Sequence, residues 1–126
     1  MSAEGHEGDA HADAASLLKA LLDALTRPEA ANAAALAWPL LGRRPAGEVG
    51  DEAGFARLLA NDRHRPLLGA SRREVVAWDA RERAARAELR VTPADGSTAH
   101  TWLVSLARGG DGRWLVSGLQ REGFEV

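Results

Sequence analysis

The chain has no cysteine and no tyrosine, and Lys19 is its single lysine. Without cysteine there are no disulfides, no thiolate catalysis and no cysteine-ligated zinc or iron–sulfur centre. A reducing cytoplasm is the simplest location for such a chain. No run approaches the roughly 18 apolar residues of a membrane span. The amino end lacks the basic-then-apolar pattern of a signal peptide, so no membrane partner is expected. Charge of one sign is also missing: 16 basic residues stand against 18 acidic ones. Cations are not clustered, so a nucleic-acid surface is not expected. No histidine pair has metal spacing on a helix, no serine sits in a nucleophile-elbow setting, and no glycine-rich phosphate loop follows a strand. Neither a metal nor any other cofactor is expected.

What is present fits one domain of 126 residues, long enough to bury a core without a staple. Residues 1–12, "MSAEGHEGDAHA", are small, polar and acidic and read as a disordered tail. Its His6 and His11, beside Glu7 and Asp9, imply no fixed metal geometry. A single domain is expected over residues 13–126. From Asp13 the leucines 17, 18, 21, 22 and 25 form an apolar stripe at helical spacing. Thr26 and Glu29 have capping-box spacing and Pro28 suits a first turn, so a second helix is expected from about Arg27 toward Trp38. "PLLGRRPAGEVG", broken by proline and glycine, reads as a connection. Asp51 can cap a third helix, "EAGFARLLAN", with Phe55, Leu58 and Leu59 facing inward.

After Gly69 the apolar period changes to two. "REVVAWD", "AARAELRV", "HTWLVSLA" and "RWLVSGLQRE" read as four strands joined by turns, with Asp95-Gly96 as a hairpin signal. Helices followed by strands predict an α+β domain, with three amino-terminal helices packed on a curved antiparallel sheet of at least four strands. Leu18, Leu22, Phe55, Leu59, Leu89 and Trp102 are the expected core.

The stretches "FARLLANDRHRPLLGA", "ARAELRVTPADGSTAHTWLVSLAR" and "GRWLVSGLQRE" resemble the NTF2-like superfamily, the cystatin-related α+β cone. Within it they look like the DUF4864-type domains. The resemblance covers about residues 14–122 and rests on hydrophobic pattern. It implies a sheet curled around a conical pocket closed by helices, and it implies a homodimer. Many members carry a short strand pair between the second and third helices, where this chain has only the glycine- and proline-rich connection. Isomerases of the superfamily use an acidic base and an oxyanion-binding acid, often tyrosine, which this chain lacks.

The candidate ligand-binding residues are Trp38, Phe55, His64, Arg65 and Trp102, which would line a pocket suited to a small apolar or aromatic ligand. No catalytic residue is expected. In "NDRHRPLL", Arg63, His64 and Arg65 follow a helix carboxyl end, where the dipole favours cations. On that reading His64 is a surface group, and His64→Gln changes stability by less than about 1 kcal/mol. Glu88, between Arg86 and Arg90, reads as a solvated partner and not as a base. The reading is therefore a non-catalytic domain that binds a small ligand or a protein partner. The alternative is a cofactor-independent lyase, isomerase or hydrolase using His64. A buried imidazole lining a cavity, with Nδ1 held by a carboxylate or carbonyl, would make that alternative the better one. A third reading is an assembly module dimerising through the outer face of its sheet.

Overall fold

The computed structural model describes residues 13–121. The tail expected over residues 1–12, with His6 and His11, lies outside the described residues. Among these residues the order is four α-helices, then four strands. The helices are α1 (Ala14–Leu25), α2 (Ala30–Ala37), α3 (Arg43–Val49) and α4 (Glu52–Ala60). Single 3₁₀ turns follow α2 at Trp38–Leu40 and α4 at Arg65–Leu67. The strands are β1 (Arg72–Ala80), β2 (Ala84–Thr92), β3 (His100–Arg108) and β4 (Trp114–Arg121). They pair antiparallel in sequence order as an open meander. The domain is α+β, with the helices preceding the sheet.

Local chemistry explains the boundaries. Asp13 caps α1 by accepting from the Ser16 backbone N–H at 2.8 Å, and Asp51 caps α4 through Gly54 N–H at 2.7 Å. The capping box expected at Thr26 and Glu29 does not form. Thr26 instead closes α1, its hydroxyl donating to the Asp23 carbonyl at 2.6 Å. Glu29 is the cap position of α2, and its carboxylate accepts from the Asn32 amide.

The segment read as a connection contains α3, a fourth helix that replaces the expected three-helix arrangement. Pro45 lies in its first turn, where the missing N–H costs nothing. Gly50 ends it at φ 93°, a conformation open to glycine. Among the described residues no strand pair stands between α2 and α4. Leu41 makes one parallel bridge to Val116, and Gly42 N–H donates to the Val116 carbonyl at 2.8 Å. These contacts tie the start of α3 to the β4 edge.

The core lies between the helices and one face of the sheet. Leu17, Leu21 and Leu25 of α1 are buried with Phe55 and Leu59 of α4. From the sheet come Leu89 on β2, Trp102 and Val104 on β3, and Val116 on β4. Of the six expected core residues only Leu22 is partly exposed. β1 stands apart. It is exposed along most of its length, including Val76 at 54% and Trp78 at 40%.

Candidate functional site

The site forms where α1, α3, α4 and β4 meet. α1 contributes Leu21 and Leu25 from its buried stripe, and α4 contributes Phe55 and Leu58. α3 lays Val49 and Glu48 along one side, with Arg44 one turn earlier. The floor is the run from Val116 to Gln120. Five consecutive strand residues reach one cavity because β4 is not a regular strand there. The register steps from Ser105 opposite Gly118 to Leu106 opposite Val116, leaving Ser117 as an extra residue. Such a bulge turns a strand locally and redirects its side chains. The cavity therefore opens at the sheet edge. Its volume is about 320 Å³.

His64 enters from the turn after α4. Its residue is 8% exposed, and it is the one buried polar or charged residue among those described. The ring lies 5.4 Å, centroid to centroid, from the Trp102 indole at 52°. The Asn61 side-chain oxygen lies 2.8 Å from the His64 backbone N and 3.0 Å from Nδ1. Burial, then the charges of Arg63 and Arg121, lower the His64 pKa from 6.5 to about 4. The imidazole is neutral across the physiological range. This corrects the reading of His64 as a surface cation. The helix-dipole role falls to Arg65, whose guanidinium donates to the Ala60 carbonyl at 3.2 and 3.3 Å.

The five sequence candidates do not converge. Phe55 and His64 line the cavity. Trp102 is fully buried behind His64 and does not line it, and its indole N–H has no acceptor. Trp38 packs on Phe55 with ring centroids 6.2 Å apart and stands outside the cavity wall. Arg65 borders a separate open groove with Pro66, Pro93 and His100. The expected ligand set Trp38, Phe55, His64, Arg65 and Trp102 is thus split between one cavity, its backing and another surface. Sequence reasoning missed the α3 wall and the β4 floor. The signal for the wall was a proline at helical position three followed by glycine at the end, which fits a short helix as well as a loop. Nothing in "WLVSGLQR" announces the bulge at Ser117, beyond the glycine beside it.

Among the described residues no group of three histidines, aspartates or glutamates could hold a metal ion. No helix there is long and apolar enough to cross a membrane. The fold and site define an α+β domain with a small edge cavity lined by apolar side chains, one neutral imidazole and the polar side chains of Arg44, Glu48, Ser117 and Gln120. No protein-family model, curated protein or solved structure matches the chain.

Proposed function

We propose that the chain is a non-catalytic NTF2-like domain that holds a small apolar or aromatic ligand in the cavity between α1, α3, α4 and β4. The carrying observation is the cavity itself. Its size lies at the small end of the roughly 300–1,000 Å³ usual for ligand sites, and leucine, valine and phenylalanine make up much of its wall, with Arg44, Glu48, His64, Ser117 and Gln120 as the polar groups. Helices leading into an antiparallel four-stranded meander support the family reading.

A second reading, with His64 as the base of a lyase, isomerase or hydrolase, is favoured by one observation, the condition set for it above. The imidazole is buried, lines the cavity and has Nδ1 held by a side-chain carbonyl. Two others favour binding. A pKa near 4 makes His64 a weak base, whereas general bases work best near the operating pH. Its orienting group is an amide, which offers an imidazolium no countercharge.

Naphthalene tests the binding reading. It should raise the melting temperature of the wild type, because a ligand of the native state stabilises it. Leu58→Trp, which fills the cavity, should abolish the rise. No rise with naphthalene or any similar apolar probe would contradict the reading. A homodimer in the cytoplasm remains part of the proposal. Val75, Val76 and Trp78 expose apolar surface on the β1 edge, and light scattering should give twice the monomer mass at high micromolar concentration.

A further inference from the structure

The Asn61 side-chain oxygen has two neighbours on His64, the backbone N at 2.8 Å and the ring Nδ1 at 3.0 Å. A backbone N–H can only donate. The amide atom facing it must therefore be the oxygen, because an amide nitrogen there would set donor against donor. With that oxygen pinned, Nδ1 beside it must carry the hydrogen. A neutral imidazole protonated at Nδ1 has an unprotonated Nε2. Among the described residues that nitrogen has no hydrogen-bond partner, and it is not among the atoms that are both sealed from solvent and unpartnered. It is an acceptor without a donor, on a ring that lines the cavity.

We propose that the ligand carries a hydroxyl or N–H group on its apolar body, donates it to His64 Nε2, and is selected by that bond over an ether or carboxylate of the same shape. The proposal rests on the ligand-binding reading above. An ether covers Nε2 without offering it a donor, and an acceptor that a ligand shuts off from water without pairing costs more than the bond itself contributes. A carboxylate sets acceptor against acceptor unless the ring takes a proton. Arg63 in the same turn and Arg121 at the end of β4 oppose that proton. Arg44 and Glu48 on α3 place opposite charges along the cavity wall, so the wall does not single out an anion.

Three probes of one shape separate the possibilities: 1-naphthol, 1-methoxynaphthalene and 1-naphthoate, titrated at neutral pH. The naphthol should bind roughly tenfold more tightly than the ether, the effect of one hydrogen bond shielded by the bound ligand, and the naphthoate should bind most weakly. In His64→Phe the naphthol and ether should bind alike. Long-range nitrogen–proton correlation on the free wild-type protein gives a readout that needs neither ligand nor variant. It should show His64 Nδ1 protonated and Nε2 unprotonated, with Nε2 moving when naphthol is added. A protonated Nε2 in the free protein overturns the proposal. Equal affinity for naphthol and ether in the wild type also overturns it but leaves the cavity-binding reading standing. If none of the three probes binds, both fall.

Discussion

At the residue scale His64 decides most of the chemistry, and it gives a signed pH dependence. The native pKa lies near 4, below the ordinary 6.5. Below pH 6.5 the unfolded chain takes up a proton that the folded chain refuses. Stability is therefore full above about pH 6.5 and declines as pH falls toward 4, below which this group adds no further loss. Allowing for solvent at the open cavity mouth, the decline should be about 2 kcal/mol. His100, whose pKa is lowered by slight burial and by Arg121, acts in the same direction. Denaturant melts at pH 7 and pH 4.5, on wild type and His64→Phe, check this. The variant should lose most of the difference, and an equal difference in both proteins would assign it elsewhere. Phe55→Ala removes a ring that is buried yet already borders the cavity, so its cost should be about 3 kcal/mol. An unchanged denaturant midpoint would contradict its placement. The position of His64 could not be read from "NDRHRPLL", because two flanking arginines and a following proline describe a helix end equally well. Burial came from the turn folding back onto Trp102, a contact 38 positions along the chain that no local pattern encodes.

At the element scale the cavity depends on α3 meeting α4 across a tight joint. A Cβ on Gly54 would collide with the Val49 carbonyl. Alanine normally gains up to about 1 kcal/mol over glycine inside a helix. Here the collision opposes that gain, and it is with backbone, which yields poorly. Gly54→Ala should therefore destabilise by about 1–3 kcal/mol, as overpacking does. It should also weaken naphthalene binding by shifting the α3 wall. A variant as stable as wild type would show that the joint has slack. Gly69 plays a related part after α4: at φ 59° it lies against Pro28 and donates to the Leu25 carbonyl at 2.9 Å. The elements differed in legibility for a physical reason. α1 and the strands carry long apolar repeats that only one period fits. The seven residues of α3 include no buried side chain, so it shows no stripe.

At the scale of the whole molecule, the fold class follows from the order of periods along the chain, helical before Gly69 and alternating after it. The sheet does not close, and helices cover it unevenly. The contacts of α3 and Leu41–Gly42, and most of those of α1, fall on β4, whereas β1 meets α1 through Arg73, whose guanidinium donates to the Leu22 carbonyl at 2.7 Å, and is otherwise an exposed edge. The cavity sits at the covered end and the exposed valines and Trp78 at the other. On the proposed function, ligand binding and self-association would use opposite ends of the sheet, so a β1 substitution such as Trp78→Lys should alter association without altering ligand affinity. Paired light scattering and titration on that variant check the separation. The chain order of elements could be read in advance, but the cavity could not. It is built from α3, a β4 bulge and a folded-back turn, which lie far apart in sequence and acquire a common boundary only on packing.

The measurement that bears most directly on the ligand-binding account is a nitrogen–proton amide titration of the wild-type chain with 1-naphthol. The account predicts that the shifted amides cluster on Leu21, Leu25, Val49, Phe55, Leu58 and the run from Val116 to Gln120. Shifts confined to β1 around Trp78, or to the groove beside Arg65 and His100, with the cavity amides unmoved, would contradict it.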